Sequence, residues 1–272
     1  VLAVVVLFVG FGAVAQAAAK QLMPEQVWAL RRSPQPLIAQ SICLDVRALP
    51  HATQQLPKSI THIVIGLSPD ERSEAAYRAT YVEGVHAVLE AVKRARWPLQ
   101  RLILLSSTAV YPDDGGSYRE RDQAMPQAFN GRILLEAESQ LRGDDVPASV
   151  LRLGGIYGNG RQAMIKRVMQ GGVASARLSN RIHQDDAASA LLHVLGRDQA
   201  ENCYNVVDRT CAPEYEVLDW LAAQLGKAPL ARSGETGGKR VVPEMLEREG
   251  FVWRYPSYRE GYARVLSEVH GS

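Results

Sequence analysis

Only three cysteines occur in the 272 residues, Cys43, Cys203 and Cys211, and no two stand in C-x-x-C spacing. That excludes a disulfide framework and a thiol-pair redox motif, and an odd number of thiols suits a reducing, cytoplasmic setting. No His/Cys/Asp cluster has metal-ligand spacing and no G-x-S-x-G elbow is present, so neither a metal centre nor a hydrolase nucleophile is expected. There is no lysine-rich run: the net charge of +2 comes from interspersed signs, which argues against a nucleic-acid partner. Beyond the opening segment no apolar run is long enough to cross a bilayer, and repeats and low-complexity tracts are missing. What remains is ordinary: 46% hydrophobic and 22% charged residues, the balance of a soluble globular enzyme with one large domain or a domain and a smaller lobe.

The opening is the strongest positive feature. Val4 to Val9 runs into Gly10-Phe11-Gly12-Ala13-Val14-Ala15, then an alanine-rich stretch, then a second apolar run from Gln26 to Leu30. Strand, G-x-G-x-x-A turn, helix and strand make a dinucleotide-binding unit. Gly10 permits the tight turn, Gly12 lets backbone amides approach a diphosphate, and Ala15 lets helix and strand pack closely. The helix start adds unpaired amides of positive character. After the second strand such units usually carry an acid for the ribose hydroxyls. Here Arg31 and Arg32 stand instead, two guanidinium groups able to clamp a phosphate. The pattern predicts NADP(H), with NAD(H) less favoured. A competing reading takes the uncharged first nineteen residues, with Ala15-Gln16-Ala17, as a signal peptide. It leaves the second strand and the arginine pair unexplained.

Along the chain, strands and helices alternate. Ser41 to Leu44, His62 to Gly66, Leu102 to Leu105, Ser149 to Leu153 and Cys203 to Val207 read as short strands. Helical spacing runs from Glu71 to Ala95, ended by Trp97-Pro98. It recurs from Asn130 to Arg142, stopped by Gly143, then over Gln184 to Leu195 and Pro213 to Leu225, and a final helix closes the chain. Ser233 to Lys239 reads as an exposed polar loop. The succession predicts an α/β fold: a Rossmann-type doubly wound parallel sheet over residues 1–156, with a smaller C-terminal substrate lobe over 157–272 that returns elements 181–207 to the sheet. Ligands in such a sheet bind beyond the carboxyl ends of the strands, which gathers Gly10 to Ala15, Ser68-Pro69, Ser106 to Thr108 and Leu153 to Tyr157.

These residues resemble a known family. Ser106-Ser107-Thr108-Ala109-Val110-Tyr111 is similar to the S-S-x-x-V-Y segment of extended short-chain dehydrogenases/reductases, the NAD-dependent epimerase/dehydratase group. Leu151 to Arg161 resembles that group's L-R-x-x-x-x-Y-G-P-G-R stretch, with Asn159 in place of proline, and Ile182 to Asp186 its I-H-x-D-D segment. Arg31-Arg32-Ser33-Pro34, Asn180 to His183 and Tyr255 to Tyr262 point to an atypical branch. The resemblance implies that Ser107 orients a substrate oxygen and that Asp45 contacts the adenine (or caps a turn); Ser68, at a strand's carboxyl end, is expected by the cofactor, and Thr108, Tyr157, Arg161 and His183 are candidate substrate contacts. The family's Tyr-x-x-x-Lys pair is missing: registering the helix on Glu138 and Leu141 puts Asn130 and Leu134 there, and neither can exchange a proton.

Substitutes have bland counterparts. Arg132 supplies fixed charge or pairs with Glu136 at i,i+4. Tyr111 and Tyr157 donate a proton or pack at strand ends. His183 titrates, or is held structurally beside Asp185 and Asp186. The implied function is an NADP(H)-binding oxidoreductase acting on a carbonyl or secondary alcohol, a nucleotide-linked sugar being one candidate substrate. Its rival is a catalytically silent NADP(H)-binding redox sensor or regulator. A small molecule is the expected partner, without nucleic acid or membrane, and a homodimer is allowed for.

Overall fold

The computed structural model describes residues 4–33, 40–142 and 147–270. Pro34 and Gly143, invoked above, lie outside the described residues. The opening apolar run forms β1 (Val6–Val9), buried throughout. Gly10 turns the chain at φ +86° into the short α1 (Ala13–Ala19), where Ala15 packs 2% exposed. The second strand starts one residue later than its pattern suggested, at β2 (Val27–Arg31), because Pro24 nucleates a 3-10 turn that takes in Gln26. Next come β3 (Ser41–Cys43) and β4 (His62–Ile65).

The helix expected from Glu71 begins at Glu74. Ser73 Oγ accepts a hydrogen bond from Ala76 N at 3.1 Å and so caps it three residues later. It then runs as α2 (Glu74–Tyr77), a π-helical segment Arg78–Val82, and α3 (Glu83–Ala95), whose Val85, Val88, Leu89 and Val92 are buried. β5 (Arg101–Ser107) outruns its apolar signal at both ends. β6 (Asp114–Tyr118) gave no signal, since Asp-Gly-Gly-Ser-Tyr has no alternation. α4 (Phe129–Gln140) and β7 (Ala148–Leu153) follow.

Later elements are short: β8 (Gly155–Tyr157), α5 (Ala163–Gln170), β9 (Val173–Ala174), β10 (Leu178–Ser179) and β11 (Arg181–His183). After them come α6 (Gln184–Leu195), β12 (Cys203–Val206), β13 (Ala212–Pro213), α7 (Glu214–Gln224) and β14 (Ala231–Arg232). β15 (Gly238–Val241), α8 (Glu244–Arg248) and α9 (Tyr258–His270) complete the chain. Gly238 and Lys239 therefore do not belong to an exposed loop. They are buried in β15, where the Lys239 ammonium donates to Tyr111 O at 2.7 Å and Asp113 Oδ1 at 2.8 Å, so a polar side chain occupies a strand that a polarity pattern hides.

Seven strands form a parallel sheet in the order β12-β7-β5-β4-β1-β2-β3, with Val6 of β1 in register with Val27 on one side and His62 on the other. The chain winds outward from β1 in both directions, so the order reverses between β1 and β4. That is the doubly wound arrangement, and it opens a crevice beyond those two strand ends. The chain forms two compact units: residues 1–110, 126–152 and 191–203, and residues 111–125, 153–190 and 204–272. The first has a core of strand and helix aliphatics including Leu7, Ile63, Val88 and Leu102. The second has its own, around Tyr157, Leu218, Tyr258 and Tyr262. Fully burying each such side chain contributes roughly 1.5–3 kcal/mol.

Candidate functional site

A cavity of about 400 Å³ opens in the first unit at the reversal point. Its floor is the pair of loops leaving β1 and β4. A Cβ on Gly10 would stand 2.4 Å from Gly66 O, so these loops approach as closely as backbone allows and position 10 admits only glycine. Gly12 is the reverse case: it lines the cavity, and a Cβ there meets nothing within 4 Å. One turn of the opposite wall, Ala79 and Thr80, comes from the π-helical segment, a distortion that tends to accompany functional sites. Six of the seven residues expected at the cofactor, Gly10, Gly12, Arg31, Arg32, Asp45 and Ser68, line this cavity. Ala15 does not, and is buried in α1.

Charge is concentrated at one end. Arg31, the last residue of β2, keeps Nε and Nη1 buried without a hydrogen-bond partner. Buried guanidinium nitrogens left unpaired are costly, and an anion there would satisfy them. Arg32 is engaged: it makes a two-pronged ion pair with Asp70, Nη2 to Oδ1 at 2.6 Å. The pair raises the Arg32 pKa and lowers that of Asp70. Asp45 caps the following turn, Oδ1 accepting from Arg47 N at 2.9 Å and Nε at 3.0 Å, and these hydrogen bonds hold its carboxyl below the usual range. Asp45 thus caps a turn and lines the cavity at once.

The end of β5 is arranged otherwise. Ser107 Oγ accepts from Ala109 N at 3.2 Å, satisfying a strand-end amide, and Thr108 is buried. Neither lines the cavity just described. Ser106 faces the interior, donating to Glu138 Oε1 at 2.6 Å, while Arg152 grips the same carboxylate at 2.7 Å; Glu138 and Arg152 are 1% and 3% exposed. On α4, Asn130 has a buried Oδ1 without a partner and Leu134 is buried. Arg132 does not pair with Glu136. Its Nη1 donates to Gln127 O at 2.7 Å, because Arg78 from the π-helical segment has taken Glu136 at 2.7 Å.

In the second unit, Tyr111 is 1% exposed, stacked on Tyr118, with its hydroxyl 2.9 Å from Asn205 Oδ1 and 3.1 Å from Arg119 O. Its proton is committed. Tyr157 stacks on Tyr262 at 4.3 Å and presses its buried, unpartnered hydroxyl against Gly261; burial pushes its pKa well up. His183 is buried, edge-on to Tyr157, and its Nδ1 accepts from Asp185 N at 3.2 Å. Burial lowers its pKa against the pull of Asp185 and Asp186, which suits a neutral ring. Arg161 is exposed, on a turn bridged to Gly158.

Residues 5–215 match the family described as the RmlD substrate binding domain. The chain belongs to that family. With it, the chain falls among the NAD-dependent epimerase/dehydratase and short-chain dehydrogenase/reductase proteins. A structure from Methylobacillus flagellatus, provisionally described as an NAD-dependent epimerase/dehydratase, is 30% identical over 98% of this chain and 99% of that one, with a TM-score of 0.82. The human epimerase family protein SDR39U1, solved with NADPH, shares the fold at a TM-score of 0.82 and 19% identity, covering 96% of this chain and 98% of that one. Protein YeeZ of Escherichia coli K12 is 27% identical over 187 residues, which span 65% of each chain, just under two thirds of that curated relative.

Sequence reasoning missed Asp70, Arg47 and the Ser106–Glu138–Arg152 cluster. Asp70 follows Ser68-Pro69, yet nothing local marks it as the partner of a residue 38 positions away. Among the described residues no helix is long and apolar enough to cross a membrane.

Proposed function

We propose that this chain is an NADP(H)-preferring oxidoreductase of the epimerase/dehydratase kind, acting on a carbonyl or secondary alcohol of a small molecule. The observation that carries the reading is Arg31: two buried, unpaired guanidinium nitrogens on the wall of a glycine-floored cavity at the sheet's reversal point. Gly10 and Gly12 offer backbone for a diphosphate, Arg31 an anchor for the ribose phosphate, and the Asp45 loop a wall for the adenine. NADPH in human SDR39U1 supports this choice. A bound nicotinamide would supply hydride transfer. Ser107 orienting a substrate oxygen and a nucleotide-linked sugar as substrate belong to the same reading, on family resemblance. So does a cytoplasmic site of action, which three free cysteines suit.

A second reading, a silent NADP(H)-binding sensor, draws support from α4, where Asn130 and Leu134 leave no proton-exchanging pair. Calorimetry of the full chain with NADP+ and NAD+, then NADPH consumption across simple ketones and sugar nucleotides, separates the two. Tighter NADP+ binding with consumption is expected. Binding without consumption of NADPH by any compound selects the sensor, and no binding of either dinucleotide at millimolar concentration removes both.

A further inference from the structure

The two arginines at the end of β2 are in different electrical states. Arg31 has buried nitrogens with nothing to bond, whereas Arg32 is held in a fork by Asp70. All three residues line the same cavity. A guanidinium edge matches a carboxylate and a phosphate in the same way, two parallel N–H···O bonds in one plane, so the Nη1–Nη2 edge that Asp70 holds serves one of them at a time. The Asp70 carboxylate therefore sits where a phosphate held end-on by Arg32 would sit. It reaches that place from the loop after β4, on the far side of the crevice floor formed by Gly10 and Gly66.

We propose that Asp70 is the specificity-determining residue of this site: an internal anion that occupies Arg32 and so limits the preference for a 2′-phosphorylated dinucleotide. The inference rests on the dinucleotide reading given above. With Asp70 in place, a 2′-phosphate finds Arg31 ready and Arg32 only by displacing a carboxylate. The displaced carboxylate then stands as a like charge beside the phosphate. A dinucleotide without the phosphate disturbs neither group. The Arg32 and Asp70 side chains are 55% and 72% exposed, so the pair is loose enough to exchange and its influence is screened by salt.

The test is calorimetry of the full chain with NADP+ and NAD+, which differ only in that phosphate, on wild type, Asp70→Asn, Arg32→Gln and the double variant at low ionic strength. Asp70→Asn is expected to tighten NADP+ by about three- to fivefold and leave NAD+ unchanged. In its background Arg32→Gln is expected to cost more NADP+ affinity than it does in wild type. An unchanged or weakened NADP+ affinity in Asp70→Asn, or equal Arg32→Gln losses in both backgrounds, overturns the proposal while leaving the dinucleotide site standing. Wild type that binds neither dinucleotide overturns the site itself and the proposal with it. Because Asp70 is exposed and the readout is an affinity ratio, no catalytic assay is needed.

Discussion

Arg31 illustrates how a single residue acquires a role from where its strand ends. Had β2 stopped at Leu30, the guanidinium would lie in a solvated loop. Because Arg31 pairs with Cys43 of β3, it is the last residue of β2, and its Nε and Nη1 are buried. Replacing it by glutamine removes charge-assisted bonds, and the expected loss is about tenfold in NADP+ affinity with NAD+ little changed. Calorimetry checks this, and equal losses for both dinucleotides would contradict the anchor. The pair Arg31-Arg32 was visible in the sequence as two guanidinium groups where an acid is usual. Their division of labour was not, since it depends on Asp70 arriving from another loop.

At the level of elements, the loops after β1 and β4 and the helix α4 are held by different physics. Gly10 is fixed by sterics: alanine there would place Cβ 2.4 Å from Gly66 O at φ +86°, so Gly10→Ala is expected to lower stability and abolish binding together. Gly12→Ala meets open space, and as an N-cap change should cost no more than about 1 kcal/mol of stability while still weakening dinucleotide binding; thermal melts and calorimetry on the two variants separate fold from cradle. α4 is tied to β5 and β7 through Glu138, which receives Ser106 and Arg152 away from solvent. Glu138→Ala removes the carboxylate that the buried Arg152 guanidinium grips. It is expected to destabilise by about 3–5 kcal/mol in urea unfolding, and a loss under 1 kcal/mol would show that the pair does not hold the helix. The helical period of α4 was readable from Ile133, Ala137 and Leu141. The buried carboxylate on that face breaks the apolar pattern, and only its partners explain it.

For the molecule as a whole, pH is the informative variable. Asp208 is 3% exposed, accepts from Thr210 N at 3.1 Å through Oδ1, leaves Oδ2 unpartnered, and is pushed up to about 7 by burial, with Arg181 offsetting part of the effect. Below about pH 4 the carboxyl is protonated whether folded or unfolded. Between there and about 7 the unfolded chain gives up the proton and the folded chain keeps it, so the native state binds more protons and stability falls as pH rises. The contribution is at most about 4 kcal/mol across that window. Asp208→Asn should reduce the stability difference between pH 5 and pH 8 seen in urea unfolding, and an identical pH profile for wild type and variant would contradict it.

The sequence by itself determined the alternation of strand and helix, the parallel sheet, the glycine turn and the place of the arginines. Each of these is local: a period, a spacing, or the absence of a Cβ. Tertiary structure alone decided which arginine is free and which is held, and that Arg78 rather than Arg132 meets Glu136. It also decided that the Tyr111 hydroxyl is hydrogen-bonded to Asn205 and that of Tyr157 is buried against Gly261, and that Lys239 lies in a strand. The reason is the same in every case. A charged or hydroxyl side chain has no fixed character along the chain; its state is set by the groups folding brings within 3 Å, and those come from residues tens of positions away.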